Sequence, residues 1–310
     1  MRMPRAAFIL SSALLLAAFA AFAVQSLPSR AVEKRPVEGS SKVATGRLCS
    51  FHLASAPFPD PARSRGYSYD GEDFPLAGHY DDSTVDVFIP PGFKPRGTVN
   101  LVFFFHGWYS SVPEAIEAFS LLRQFSESGA RALLVLPETA RDAPDSYGGK
   151  LESPGGFDRL VAELLRKLHA SGATPPLKVG SITLMGHSGA YRVMACILGQ
   201  DGAAKKVREV CLFDGLYDDV ERYAAWISGG NRRFVSISSE DGDPADNAHR
   251  LIAELKEDGI PVETGVDTPA DYRRLRDHRA AFIFSSCSHD TIVNSNDELR
   301  RVLAMQKSLH

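Results

Sequence analysis

The sequence predicts an α/β protein built on a mainly parallel, doubly wound sheet. Short apolar runs recur along the chain from about residue 84 onward, and stretches with a helical apolar stripe separate them. Strands that alternate with helices at this spacing form parallel sheets with helices on both faces. The run over residues 99–105 is apolar throughout, which is typical of a strand buried on both faces.

The strands are predicted where β-branched and aromatic residues form a run that ends at turn residues. Such runs cover residues 84–89, 99–105, 132–136, 182–185, 210–213, 234–237 and 281–284. Helices are predicted where apolar residues return every three or four positions. They start at 113 and 190 and cover 157–168, 245–258 and 297–308. The segment over 48–78 is rich in Pro, Gly, Ser and Asp, and we expect irregular structure there.

The first residues have the pattern of a secretory signal peptide. Arg2 and Arg5 precede an uncharged apolar run over residues 6–24, and the small-x-small sequence at 21–23 is a cleavage site. The alternative is an uncleaved membrane anchor, because the run is nearly long enough to span a bilayer. We therefore expect a secreted or periplasmic protein, which would be held at a membrane only if this segment stays attached.

Three segments follow from this pattern. Residues 1–23 form the signal peptide, and the polar residues 24–46 form a flexible linker without apolar periodicity. Residues 47–310 form one α/β domain, since no repeat or low-complexity stretch divides them.

Composition and cysteine spacing exclude several classes of function. The net charge is −3 and no basic block occurs, so nucleic-acid binding has no support. No pair among Cys49, Cys196, Cys211 and Cys287 has zinc-ligand spacing, so no metal site is expected. Cys196 and Cys211 lie in apolar segments and resemble small buried hydrophobes. Export would permit a disulfide between Cys49 and Cys287.

The most informative motif is Gly-x-Ser-x-Ala at residues 186–190. It directly follows a predicted strand and leads into a predicted helix. Small residues two positions before and after the serine allow a sharp strand-to-helix turn, which lifts the hydroxyl clear of the sheet. Ser188 is therefore the candidate nucleophile.

A serine hydroxyl needs a base to remove its proton and a third group to orient that base. His289 follows the last predicted strand and precedes the last helix, which places it at the same sheet edge as Ser188. Asp214 directly follows an apolar strand, where an unpaired carboxylate would be costly, and we favour it as the orienting acid. Asp241, in an acidic turn after the next strand, is the alternative acid.

The oxyanion that forms during acyl transfer needs backbone donors. Gly189, the residue after the nucleophile, is expected to supply one N–H group. The loop containing Gly107 and Trp108, directly after the apolar strand that ends at residue 105, is expected to supply the other.

Residues near these turns are candidates for substrate binding. Tyr109 and Tyr191, together with Trp108, suit a substrate with an apolar or sugar-like face. Arg192 and Lys150 could bind an anionic group, or could be ordinary surface charges.

Three features together resemble the α/β-hydrolase superfamily, which includes serine esterases and lipases. They are the His-Gly pair at 106–107, the serine motif at 186–190, and His289 after the last strand. The resemblance spans about residues 84–308. It implies a mainly parallel, eight-stranded sheet whose C-terminal edge holds a nucleophile, an acid and a histidine.

Two positions depart from the superfamily's pattern. Ala190 stands where the last glycine of the serine motif is usual. The superfamily's acid usually follows the strand after the one that ends before Asp214, which keeps Asp241 open as the acid.

These inferences predict a serine hydrolase that cleaves a small-molecule or polymer-borne carboxylic ester through an acyl-enzyme. No metal or organic cofactor is expected. A peptidase or an acyltransferase using the same three residues is an alternative. A catalytically inactive binding protein on the same scaffold is another.

Overall fold

The computed structural model describes residues 46–310. The predicted signal peptide at 1–23 and the linker up to residue 45 lie outside the described residues. Within the described part of the chain, none of the helices combines the length and apolar character that crossing a membrane requires.

The described residues alternate between strands and helices in chain order, as the sequence predicts. The strands are β1 (Arg47–His52), β2 (Tyr67–Tyr69), β3 (Glu72–Phe74), β4 (Thr84–Ile89), β5 (Gly97–Phe105), β6 (Ala132–Pro137), β7 (Leu177–His187), β8 (Val207–Phe213), β9 (Arg233–Ser239), β10 (Val262–Val266) and β11 (Ala280–Ser285). The helices are α1 (Leu76–His79), α2 (Val112–Ala118), α3 (Leu121–Glu127), α4 (Gly156–Ala170), α5 (Tyr191–Leu198), α6 (Val220–Ser228), α7 (Asp243–Glu257), α8 (Pro269–Leu275) and α9 (Glu298–Met305).

Nine of the strands in residues 46–310 form one sheet in the order β1-β4-β6-β5-β7-β8-β9-β11-β10. β4 pairs antiparallel with both of its neighbours, and every other pair is parallel. The parallel strands therefore end at one edge, and the loops that follow β5, β7, β8, β9 and β11 meet there.

Two hydrophobic cores lie on opposite faces of this sheet, and β5 shows how the sequence builds them. Leu101, Phe103 and Phe105 belong to one core, whereas Val102 and Phe104 belong to the other. Because successive side chains of a strand point to opposite faces, a continuous apolar run fills both cores. This arrangement confirms the predicted doubly wound α/β class.

All seven predicted strands are present, but the sheet contains two more, at its edges. β1 lies in the segment that we expected to be irregular, as does the hairpin of β2 and β3. β1 and β10 are short edge strands that mix polar and apolar residues, so they lack the buried-strand pattern. The sheet of the described residues has nine strands rather than the eight that the resemblance implies.

The Cys49–Cys287 disulfide that export would permit is not formed, and all four cysteines are free thiols. Cys49 lies on β1, whereas Cys287 follows β11, and six strands separate β1 from β11 in the sheet. At roughly 4.8 Å per strand this separation is on the order of 30 Å, far beyond the reach of a disulfide. Cys211 is buried as predicted, whereas Cys196 is only half-buried and accepts a hydrogen bond from Arg222.

Asp267 and Glu298 form a buried pair of carboxyl groups next to the loop that carries His289. Glu298 opens α9 with 0 % of its surface exposed, and neither of its carboxyl oxygens has a donor partner in the described structure. Asp267 accepts hydrogen bonds from Ser285, Asn296 and Arg301. Burial, together with the adjacent Asp267 carboxylate, raises the pKa of Glu298 to about 9.

This raised pKa makes stability depend on pH. The ordinary pKa of the group is 4.5, so its stabilising contribution is complete below pH 4.5 and is lost as the pH rises through about 9. We expect Glu298→Gln to be more stable relative to wild type at pH 8 than at pH 5. Urea unfolding of both proteins at the two pH values measures this. If the urea midpoints of wild type and Glu298→Gln differ by the same amount at pH 5 and at pH 8, the proposed protonation of Glu298 is contradicted.

Candidate active site

Ser188 lies on a tight turn between β7 and α5. β7 ends at His187, and residues Ser188–Ala190 form a single 3₁₀ turn before the helix. The Ser188 φ angle is 54°, in the left-handed region that side chains rarely adopt. A Cβ added at Gly186 would lie 2.6 Å from the Ala190 Cβ and 2.6 Å from the Met194 Sδ. The motif therefore needs small residues because its two ends are in contact.

Three side chains meet in one hydrogen-bonded series at the edge of the sheet. His289 Nε2 lies 3.0 Å from Ser188 Oγ, and His289 Nδ1 lies 2.7 Å from Asp214 Oδ2. The three residues follow β7, β8 and β11, so the parallel strands bring them to the same edge. This geometry allows the imidazole to accept the serine proton while the carboxylate holds its other nitrogen.

The Asp214 carboxylate is buried, with 2 % of the residue exposed. Its Oδ1 accepts hydrogen bonds from the backbone N–H and the hydroxyl of Ser239, both at 2.9 Å. Burial alone would raise the pKa of Asp214, but the hydrogen bonds from His289 and Ser239 lower it below its usual value. The group is therefore ionised near neutral pH, and it fixes the tautomer that leaves His289 Nε2 free to accept a proton.

The structure does not bring the alternative acid, Asp241, to His289. Asp241 is exposed, and its backbone carbonyl oxygen lies 3.1 Å from Ser239 Oγ, so it shares the single hydroxyl proton with Asp214. Ser239 thus connects the turn containing Asp241 to the buried Asp214 carboxylate.

His187 supports the loop that carries His289. Its Nε2 lies 2.9 Å from the His289 carbonyl oxygen, and the two ring centroids are 4.6 Å apart. Burial, followed by the neighbouring His289 charge, lowers the pKa of His187 to about 4. The ring is therefore neutral at pH 7, and Nε2–H donates to the carbonyl. This hydrogen bond fixes the backbone of His289 next to the serine.

The predicted oxyanion loop packs directly against Ser188. A Cβ added at Gly107 would lie 2.7 Å from the Ser188 Cβ, and one added at Gly189 would lie 2.5 Å from Cδ1 of Trp108. The backbone N–H of Trp108 has no acceptor among residues 46–310, whereas the backbone N–H of Tyr109 donates to the Ala143 carbonyl oxygen at 3.2 Å. Gly189 lies in the first turn of a helix, where N–H groups lack intrahelical partners.

A buried cluster holds this loop in place. His106 Nε2 lies 2.8 Å from Glu138 Oε1 and 2.8 Å from Thr139 Oγ1, and its Nδ1 lies 2.8 Å from the Gly107 carbonyl oxygen. Glu138 also accepts the Val112 N–H at the start of α2. The cluster connects the ends of β5 and β6, so the loop between β5 and α2 has a fixed backbone.

A cleft of about 660 Å³ opens above Ser188. Trp108, Tyr109 and Tyr191 line it, which are the aromatic residues that the sequence indicated. Trp108 Nε1 donates to Ser146 Oγ at 2.7 Å, which fixes the indole against the nucleophile turn. The remaining lining residues are Ser146, His187, Gly189, Tyr217, Asp218, Asp243, His289 and Asp290.

The two basic residues proposed for substrate binding do not line this cleft. Lys150 Nζ donates to the Ala54 carbonyl oxygen at 2.8 Å, on another part of the surface. Arg192 forms a bidentate pair with Glu152, with N–O distances of 2.9 and 3.0 Å. Both side chains have partners elsewhere, so the structure does not bring either charge to the cleft.

The site contains residues that the sequence did not single out in these roles. Ser239 is the last residue of β9, and Glu138 directly follows β6, much as Asp214 directly follows β8. This position at the end of a buried strand is the only sequence signal for Ser239 and Glu138. Tyr217 and Asp290 lie within three residues of a candidate site residue. Among residues 46–310, no group of three His, Cys, Asp or Glu side chains is arranged to hold a metal ion.

Comparisons with known proteins find similarity only at the level of structure: no family model matches the chain, and neither does any curated protein. The chain is similar to FphF, a fluorophosphonate-binding serine hydrolase of Staphylococcus aureus. The two are 11 % identical, over 84 % of this chain and 99 % of that one, with a TM-score of 0.50.

Two further solved structures are similar at slightly lower scores. A ferulic acid esterase is 11 % identical over 73 % of this chain and 93 % of that chain, with a TM-score of 0.49. An S-formylglutathione hydrolase from Agrobacterium tumefaciens is 11 % identical over 86 % and 96 %, with a TM-score of 0.48. At this level of identity the likeness concerns the fold. The chain has the fold of the α/β-hydrolase superfamily, as the sequence motifs predicted.

Proposed function

We propose that the protein is a serine hydrolase that cleaves carboxylic esters, with Ser188 as the nucleophile. One observation carries this proposal. A continuous hydrogen-bonded series runs from Ser188 Oγ through His289 to the buried Asp214 carboxylate, and it lies at the base of an open cleft. Such an array activates a serine hydroxyl, which is otherwise a weak nucleophile at neutral pH.

In the proposed reaction, Ser188 Oγ forms a bond to the ester carbonyl carbon while His289 Nε2 takes the hydroxyl proton. The N–H groups of Trp108 and Gly189 stabilise the oxyanion of the tetrahedral intermediate. The C–O bond to the alcohol then breaks, and His289 returns its proton to the leaving oxygen. A water oxygen then bonds to the acyl carbon while the same imidazole takes a water proton. The bond from this carbon to Ser188 Oγ breaks, the imidazolium returns the proton to Oγ, and the carboxylic acid is released. Asp214 keeps its charge throughout and stabilises the imidazolium that forms twice.

We favour ester hydrolysis over peptide hydrolysis because the open edges of the nine-stranded sheet lie far from Ser188. Extended peptides often bind by adding a strand to an exposed sheet edge. Both open edges of the sheet formed by residues 46–310, β1 and β10, lie four strands away from β7, which carries Ser188. The nine-stranded sheet therefore presents no open strand edge beside Ser188 to a peptide substrate.

We also propose that the protein is exported, because the charge and apolar pattern of residues 1–23 is that of a cleaved signal peptide. N-terminal sequencing of protein from the extracytoplasmic fraction should begin near Val24. Recovery of Met1 on membrane-bound protein would contradict cleavage and favour the anchor instead.

We expect Ser188→Ala to abolish both ester hydrolysis and labelling by a fluorophosphonate probe. In known serine hydrolases the loss of the nucleophile costs on the order of 10⁶-fold in kcat. The measurement is probe labelling together with kcat on a panel of esters and matching amides. Ser286→Ala is the matched control, because this exposed serine lies on the His289 loop outside the hydrogen-bonded series. Activity of Ser188→Ala within tenfold of wild type would contradict the proposal.

We expect Asp214→Asn to lower kcat by roughly 10⁴-fold, because an amide at this position favours the wrong imidazole tautomer. Asp241→Asn removes a charge from the adjacent turn and leaves the hydrogen bonds of His289 in place. We expect it to change kcat less than threefold. Circular dichroism of both variants checks that they fold. The opposite ranking of the two variants would show that the acid follows β9 rather than β8.

A further inference from the structure

We propose that the cleft selects esters whose leaving alcohol carries a positive charge, such as an alkylammonium group. This inference rests on the proposed ester hydrolysis at Ser188 and adds the class of substrate. Three properties of the cleft carry it: the sign of its charges, the aromatic faces that it exposes, and the side on which the charges lie.

The charged residues around the cleft are acidic. Asp218, Asp243 and Asp290 line it, whereas no Lys or Arg is among its lining residues in the described structure. All three carboxylates are exposed, and none of them is in an ion pair with another described residue. Carboxylates of one sign that line a cleft attract cations and repel anions. An ester with an anionic group is therefore disfavoured in this site.

The cleft also exposes an unusual amount of aromatic surface. Trp108, Tyr109 and Tyr217 have 39, 54 and 37 % of their surface exposed, and they are three of the six large hydrophobic residues that residues 46–310 leave exposed. Tyr191 lines the same cleft. Aromatic faces attract organic cations, with a strength of about 0.5–2 kcal/mol per contact. Rings next to carboxylates therefore match a cation with an alkyl surface better than a bare metal ion.

In the sheet order, the three carboxylates lie on the same side of β7 as His289. Asp218, Asp243 and Asp290 follow β8, β9 and β11, and β8 is the neighbour of β7 on that side. Trp108 follows β5, on the other side of β7. His289, which also follows β11, returns a proton to the leaving oxygen in the proposed mechanism. The leaving alcohol is thus placed among the carboxylates, and the oxyanion is placed beside Trp108.

The Tyr217 ring lies next to both His289 and Tyr191. Its centroid lies 6.2 Å from that of His289, and 6.3 Å from that of Tyr191. Burial, followed by the charges of Asp214 and Asp243, raises the pKa of Tyr217. The ring therefore lies beside the proposed base and near the Asp243 charge, where it can pack against the substituent of a leaving alcohol.

The test compares two esters of the same shape that differ in charge. Acetylcholine carries a trimethylammonium group, and 3,3-dimethylbutyl acetate carries a neutral tert-butyl group in its place. We expect kcat/KM to be about tenfold higher for acetylcholine at low ionic strength, because Coulomb attraction to nearby carboxylates remains substantial at a protein surface. We also expect this ratio to fall as salt is added, since mobile ions screen exposed charges.

Charge-removing variants show where the selectivity originates. Asp218→Asn, Asp243→Asn and Asp290→Asn should each lower the acetylcholine preference two- to threefold, and the triple variant should remove it. The ratio of the two esters is taken within each variant, so a general loss of activity cancels. Asp258→Asn is the matched control, because it removes one exposed charge from the far end of α7, about 22 Å from Asp243. It should leave the ratio unchanged.

Equal kcat/KM values for the two esters, or a preference for the neutral ester, would overturn the charge selectivity and leave ester hydrolysis standing. A ratio that is independent of salt and of all three substitutions would also overturn it, and would favour a neutral sugar-like alcohol packed on the rings.

If neither ester is turned over, protection of Ser188 from fluorophosphonate labelling gives the same comparison. Choline should then protect more strongly than 3,3-dimethyl-1-butanol, and equal protection overturns the proposal. Absence of labelling at Ser188 counts against the proposed function itself.

Discussion

The burial of the Asp214 carboxylate is the constraint on which the candidate site depends. A buried, ionised carboxylate is costly unless hydrogen bonds replace the water that it loses. Ser239 supplies two of these bonds from the end of β9, and His289 supplies the third from the loop after β11. Satisfying this one group therefore connects the ends of three neighbouring strands. It also fixes the imidazole at hydrogen-bond distance from Ser188.

The backbone on both sides of Ser188 is also tightly packed. Gly107 and Gly215 both lie where an added Cβ would come within about 3 Å of Ser188, at 2.7 Å and 3.0 Å. The nucleophile turn is thus enclosed by loops from two neighbouring strands, which stabilises the left-handed conformation of Ser188. His106 fixes the loop after β5 through the Gly107 carbonyl group, and His187 fixes the loop after β11 through the His289 carbonyl group. Backbone contacts around Ser188 thus set the geometry at the serine.

Local sequence patterns predicted the buried strands, the serine turn and the loop containing His289, because each has a signal within a few residues. The patterns could not reveal β1 and β10, whose mixed composition forms strands only through pairing with distant partners. They also could not show that Glu152 engages Arg192, since this contact joins residues 40 positions apart. Charge type is visible in a sequence, whereas the partner of each charge depends on the tertiary structure. The choice between Asp214 and Asp241 stayed open for the same reason.

The central claim is that the Ser188, His289 and Asp214 series forms a site for acyl transfer with an oxyanion hole beside it. A crystal structure of the protein after reaction with a fluorophosphonate tests this claim most directly. We expect phosphorus bonded to Ser188 Oγ, with the phosphoryl oxygen roughly 3 Å from the backbone N–H groups of Trp108 and Gly189. Phosphorus bonded to another residue, or a phosphoryl oxygen directed away from both N–H groups, would contradict it.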